Sequence, residues 1–299
     1  MDRPVRVAVV GEGPLARRYA AAAATVADVK LVELPNAQAL VVAEAAALPE
    51  PAATGLPMLI DPGALASLGA APESRAALRA LPVPALAALP WRSAPVVRLA
   101  RRLLPAPKFV HVQVTMPGVD ALPAATFDTL DILTHLMGRS PNRVYAESGS
   151  GTPTAPGAPS TVAGTLEFGP KGSAAFAVSR LDGPAEGLAA VVQLTDGRRT
   201  VTLTEGFTTA TLDGFSDAEI DAADTAFAFR AVGNSQVVTA TWRPADGVGD
   251  AVRDLVQTVR TGQAPLEAPN LSGALRTAAL VRAALATAGS GRPRQLVVR

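Results

Sequence analysis

The sequence predicts an α/β chain in two parts: a shortened parallel-sheet domain with helices, then an α+β domain built on a large, mainly antiparallel open sheet. Three observations predict it. Up to about residue 105, apolar strand-like runs alternate with helical stretches, the pattern of a doubly wound parallel sheet. From Lys108 to Met116 apolar and polar residues alternate strictly, and further strand-like runs follow, as in strands with one covered face. A glycine loop directly follows the first apolar run. The expected domains are residues 1–105 and 106–299.

Val5–Val10 is a compact apolar run, as expected of a strand buried on both faces. The loop Gly11-Glu12-Gly13-Pro14-Leu15-Ala16 follows, then a helix to about Ala24. Further strands are expected at Val29–Glu33, Gln38–Ala43 and Pro57–Asp61, and at Leu81–Leu89 despite its prolines. In the second part Val110, Val112, Val114 and Met116 face one way, and Phe109, His111, Gln113 and Thr115 the other. A helix from about Ala124 to Met137 ends at Gly138 and Pro141. Gly149–Ser160 reads as an exposed loop. Strands are expected at Thr161–Phe168, Ser173–Arg180, Leu188–Thr195, Arg199–Thr204, Thr208–Asp213, Ala226–Val232 and Gln236–Trp242, with Asp196-Gly197 at a hairpin turn. Helices over about Asp250–Thr261 and Ser272–Ala288 close the chain.

Bulk composition excludes several classes. With 48% hydrophobic and 18% charged residues, 299 residues hold ample core material and are not globally disordered. A net charge of +1 points to neither nucleic acid nor a membrane surface as partner. Arg98, Arg101 and Arg102 read as the solvated side of one helix. The absence of cysteine removes disulfides, thiolate metal sites and thiol nucleophiles, and two histidines leave little room for a metal centre, so no metal is expected. The N-terminus runs straight into a strand without an apolar signal core, and Ala20–Ala24 is too short to span a bilayer. A cytoplasmic protein is expected.

Gly-x-Gly-x-x-Ala between a buried strand and a helix is the dinucleotide-binding pattern of Rossmann-like domains. Gly11 permits the tight turn, Gly13 lets backbone approach a pyrophosphate at the helix N-terminus, Pro14 and Leu15 complete the loop, and Ala16 allows close helix–strand packing. Glu33, 22 residues after Gly11, stands where an acid bonds an adenosine ribose. NAD or NADP is the candidate cofactor. Glu12 argues against tight binding if its charge faces the phosphates.

Several segments, in order, resemble the Gfo/Idh/MocA oxidoreductases. Val5–Ala16 is similar to the family's nucleotide loop, and Leu56-Pro57-Met58-Leu59-Ile60-Asp61-Pro62 to the segment ending in its Glu-Lys-Pro motif. Trp91-Arg92-Ser93-Ala94-Pro95 resembles its Arg-x-x-Pro segment, and Leu130–Gly138 its helix ending Asp-Leu-Leu…Leu-x-Gly. The tail from Asp250 to Leu296, with Gly262-Gln263-Ala264-Pro265 and Gly291-Arg292, is similar to its closing helices and strand. The resemblance implies a nucleotide-binding domain followed by an open-sheet domain, NAD(P)-dependent dehydrogenation of sugars or cyclitols, and dimers or tetramers joined through the sheet face.

Three departures set the chain apart. Asp61 stands where the resemblance puts the lysine beside nicotinamide and substrate, and the chain's lysines are Lys30, Lys108 and Lys171. An aspartate cannot stabilise a developing alkoxide. Aligning Asp131 with the family's Asp puts Ala124 and Asp128 where it carries an acid and a histidine. Finally, only Leu34, Pro35, Asn36 and Ala37 lie between Glu33 and Gln38, too few for a helical crossover. Either a strand–helix piece is missing or the third strand pairs antiparallel.

Asp128, Asp131 and His135 share one helix face at i, i+3 and i+7. They read either as a solvated stripe with a local hydrogen bond or, with Asp61, as a relocated acid–base site in which Asp131 raises the His135 pKa. Three functions are thus expected to compete. One is a degenerate ancillary or binding subunit, paired with itself or an active homologue through the Phe109/His111/Gln113/Thr115 face. The second is a divergent NAD(P)H-dependent reductase, the imine reductases of similar fold being a precedent. The third is a non-redox lyase or cyclase.

Overall fold

The computed structural model describes residues 3–44, 53–68, 78, 81, 84–117, 122–149, 161–170, 172–181, 189–223, 227–265, 268–290 and 294–295. The expected loop over 150–160, Lys171 and Gly291-Arg292 lie outside the described residues. Two compact units emerge: Met1–Pro90 with Pro244–Ala279, and Trp91–Arg243 with Leu280–Arg299. This differs from a single cut after residue 105. Residues 91–105 go with the second unit, and 244–279 return to the first because their apolar face completes its core. In chain order the described helices are α1 (Gly13–Ala24), α2 (Pro62–Leu68), α3 (Pro95–Leu103), α4 (Leu122–Met137), α5 (Asp217–Ala223), α6 (Pro244–Thr261) and α7 (Leu271–Ser290).

The first unit holds β1 (Val5–Val10), β2 (Val29–Leu31), β3 (Ala39–Val42), β4 (Met58–Ile60) and β5 (Ala85–Ala87) in the order β2-β1-β3-β4-β5, every pairing parallel. Every residue of β3 and β4 is fully buried, which is why these strands read as unbroken apolar runs. α1 buries Ala16, Tyr19 and Ala23, and α6 adds Val248, Val252, Leu255 and Val256 to the same core.

The third strand pairs parallel, not antiparallel, and the register explains how a short link suffices. Val7 of β1 lies level with Leu31, the last residue of β2, and also with Ala39, the first of β3. β2 therefore uses the lower half of β1 and β3 the upper half. The chain need not travel back down the sheet. It only steps sideways across β1, about 10 Å at two strand spacings. A single 3₁₀ turn, Leu34–Asn36, covers that step. Gln38 anchors its far end, donating its amide N–H to the Arg6 carbonyl and accepting the Arg6 N–H on Oε1 at 3.1 Å.

The second unit is a ten-stranded sheet of β6 (Phe109–Pro117), β7 (Arg143–Gly149), β8 (Thr161–Glu167), β9 (Ser173–Leu181), β10 (Ala189–Thr195), β11 (Thr200–Thr204), β12 (Thr209–Asp213), β13 (Phe229–Val232), β14 (Ser235–Thr239) and β15 (Arg294–Gln295). The order is β13-β14-β12-β11-β10-β6-β9-β8-β7-β15, and only β6–β9 is parallel. The expected alternation holds: Val110, Val112 and Val114 are fully buried, with Phe176, Val178, Val192 and Leu194 beside them. Phe109, His111, Gln113 and Thr115 face the other way.

At one end of this sheet Phe207 adopts a left-handed backbone (φ 70°). Its ring is fully buried, 5.1 Å from the Trp91 ring and 6.2 Å from that of Trp242. Burying a phenylalanine contributes about 1.5–3 kcal/mol and each ring contact about 0.5–1.5 kcal/mol, which outweighs the roughly 1–2 kcal/mol of a left-handed residue. The wedge fixes Trp91 and thereby the neighbouring Arg92.

Candidate functional site

At the C-terminal end of β1 the chain turns through Gly11 (φ 122°) and Gly13 (φ 80°), conformations that side chains disfavour. α1 starts at Gly13 with Pro14 in its first turn. Glu12 stands at the N-cap without a capping bond from its side chain. Leu15 is half-buried and Ala16 sits in the core, close against the sheet. A cavity of about 620 Å³ opens here, lined by Ala8 to Glu12, by Val32 to Leu34 and by Glu44. The loop and Glu33 thus share one cavity, as their spacing implies.

Glu44 was not singled out by its sequence. Its Oε1 accepts the Glu12 backbone N–H at 3.1 Å. The available signal was position: it follows Ala39–Ala43 directly, at the C-terminal end of the strand beside β1, where open parallel sheets present their ligand crevice.

Asp61, just past β4, is buried and fully engaged within its own unit. Tyr19 donates its hydroxyl to Oδ2 at 2.8 Å, and the Gly63 N–H donates to Oδ1 at 2.7 Å. The latter is an N-cap bond: Asp61 precedes α2, with Pro62 at its first position, an arrangement helices favour. Burial raises the Asp61 pKa above the ordinary carboxylate range, while Tyr19, the Gly63 and Ala64 amides and Arg18 pull it back down. Through these bonds it joins α1, β4 and α2.

In the second unit the Asp128/Asp131/His135 stripe is not solvated as a whole. Asp131 is buried, and Arg92 forks onto it, Nε to Oδ2 at 2.8 Å and Nη2 to Oδ1 at 2.5 Å. Arg101, expected in solvent, is half-buried and donates to the His135 backbone carbonyl near the end of α4, satisfying a helix-end acceptor. Arg98 and Arg102 are exposed, and Asp128 is half-buried on the same helix. The expectation that Asp131 raises the His135 pKa is corrected. The Asp131 carboxylate answers Arg92. Burial, then Arg92 and Arg101, push the histidine down to about 3. It is neutral at physiological pH and a poor proton donor. The paired Arg92 was not foreseen as the partner of Asp131; the two lie 39 positions apart.

No family model and no curated protein matches the chain. Solved structures do. An oxidoreductase from Sinorhizobium meliloti superposes with a TM-score of 0.76 at 12% identity, covering 98% of this chain and 100% of that one. GenD2 from gentamicin A biosynthesis, in complex with NAD, gives 0.74 at 17% identity, covering 100% and 98%. A super-repressor mutant of Gal80p from Saccharomyces cerevisiae gives 0.75 at 12% identity, covering 98% and 97%.

The depressed His135 pKa has a measurable sign. The unfolded chain binds this proton near pH 6.5 and the folded chain near 3, so the stabilisation is complete above pH 6.5 and is lost as pH falls toward 3. Between pH 6.5 and 4 the wild type should lose up to about 3 kcal/mol more unfolding free energy than His135→Gln. Parallel pH–stability curves by urea unfolding would refute a half-buried histidine held neutral.

Proposed function

We propose that this chain, which carries the two-domain fold of the Gfo/Idh/MocA-type oxidoreductases, lacks standard NAD(P)-dependent dehydrogenase activity and acts as a binding or ancillary subunit. The observation that carries the proposal is Asp61. The resemblance puts a lysine there, and here a carboxylate is held by Tyr19 and the Gly63 amide as a helix cap. Hydride removal from an alcohol needs help for the developing alkoxide, and an aspartate at that position opposes it. Asp131 and His135 do not replace the lost function in this reading: one is committed to Arg92, the other is held neutral. This also weighs against a lyase or cyclase built on Asp128, Asp131 and His135.

A dinucleotide fits the cavity poorly as it stands. Three acidic residues, Glu12, Glu33 and Glu44, line it. Glu33 suits a ribose, but the other two oppose phosphate charge. The alternative, a divergent NAD(P)H-dependent reductase of sugar, cyclitol or imine substrates, is favoured by the glycine geometry and by GenD2, described as an NAD complex. That the same fold occurs in a protein described as a super-repressor supports a role other than catalysis.

The binding partner in this proposal is a second copy of the chain, in a dimer or tetramer, or an active homologue, docked on the outer sheet face. Phe109 (36% exposed) and Val191 (41%) stand on that face, with Val191 directly across from Gln113. No helix among the described residues is long and apolar enough to cross a membrane, and no group of metal-ligating side chains occurs among them.

Two measurements test these readings. Titrating the chain with NADH and NADPH up to millimolar concentration should leave fluorescence and melting temperature unchanged. Saturable binding with hydride transfer to any carbonyl or imine would establish the reductase instead. Light scattering should report a multiple of the 30.4 kDa chain mass, and Val191→Glu should shift it toward 30.4 kDa; a monomeric wild type would remove self-pairing.

A further inference from the structure

We propose that Glu44 is a built-in anion for the glycine loop, its carboxylate standing in for a phosphate and excluding phosphate-bearing ligands from the cavity. The inference goes beyond the missing lysine but rests on the reading that the loop no longer serves ordinary hydride transfer.

The geometry is specific. A glycine loop opening a helix works by offering backbone N–H groups and the positive end of the helix dipole to an anion. In this chain the Glu12 N–H, in the middle of the loop, is already donated to Glu44 Oε1 at 3.1 Å. The Cβ and Cγ of Glu44 lie against Gly11, and the same Oε1 lies nearest Gly13. A Cβ on Gly11 would meet Glu44 Cγ at 3.2 Å and Cβ at 3.4 Å, and one on Gly13 would meet Oε1 at 3.9 Å. The room that glycine leaves for a pyrophosphate to approach the backbone is thus partly taken by this side chain.

Local sequence reinforces the arrangement. Pro14 in the first turn has no N–H to offer. The first turn of α1 carries no acid, and the Glu12 side chain at the N-cap makes no capping bond, so the helix's own carboxylates do not engage its free N–H groups. Glu44 supplies one from the neighbouring strand, tethered and therefore at high effective concentration. An incoming phosphate must displace it and then sit beside it, with Glu12 and Glu33 on the same cavity wall.

The test is calorimetric titration of the 299-residue chain, Glu44→Gln and Glu44→Ala with inorganic pyrophosphate, ADP-ribose and NADH, each protein checked for folding by its melting curve. The wild type should give no saturable heat at millimolar ligand. Glu44→Ala should gain roughly tenfold or more in affinity for the phosphate-bearing probes, the order expected when a charge-assisted hydrogen bond is removed from a competitor. Glu44→Gln, isosteric but uncharged, should gain less. If Glu44→Ala does not fold, Glu44→Gln alone decides. The Glu12 amide ¹⁵N resonance should move in Glu44→Ala well beyond its movement in Glu44→Gln. Folded variants as silent as the wild type would overturn this inference while leaving the proposed function standing. NADH binding by the wild type itself would overturn both.

Discussion

The carboxylate of Asp61 is the point on which the first unit turns. It closes α2 through the Gly63 amide and ties α1 down through the Tyr19 hydroxyl. Both partners are donors, and they converge on a side chain that burial alone would drive toward protonation. A site built this way requires an acceptor. A lysine in the same place would set an ammonium against a helix N-terminus and would bury its charge without a counter-ion from Tyr19 or the Gly63 amide. The packing around this position is therefore fitted to a carboxylate and disfavours a lysine.

The same economy recurs elsewhere. In the second unit, charged groups at positions that invite a catalytic reading are engaged in holding helices. Arg92 forks onto buried Asp131, Arg101 reaches the carbonyl of His135, and the Phe207 wedge between Trp91 and Trp242 fixes the segment that carries Arg92. Asp131 is buried while Arg92 keeps 23% of its side chain exposed, so breaking the pair costs stability, though less than the about 3–5 kcal/mol of a fully buried pair. In the first unit, Glu44 and the glycine loop follow the same pattern, a polar demand met from within the chain.

Much of this fold was legible in the sequence, and for identifiable reasons. The continuous apolar run Ala39–Ala43 marks a strand covered on both faces, Val5–Val10 is interrupted by Arg6, which is exposed, and is fully covered only at Val5, Val7 and Ala8, and the alternation from Phe109 to Met116 marks a sheet with one open face. The glycine loop and Glu33, singled out by their spacing, line one cavity. The parallel pairing of β3 was not legible, because it depends on the stagger of β2 and β3 along β1, a register that no local pattern encodes. α5 escaped although its signal was present: Ser216 and Glu219 form a capping box, each bonding the other's backbone N–H. The engagements of Asp61 with Tyr19 and of Asp131 with Arg92 span 42 and 39 positions. Helical spacing shows which residues share a face and not which residue from another element meets them, so His135 looked like a partner when Arg92 was.

The most direct test of this account is the unfolding free energy of Asp61→Lys beside that of Asp61→Asn. If the pocket demands an acceptor, the order of stability is wild type, then asparagine, then lysine, with the lysine variant down by about 3 kcal/mol or more. A lysine variant as stable as the wild type would mean that the site still accommodates the cation, and the structural reading of Asp61 would fail.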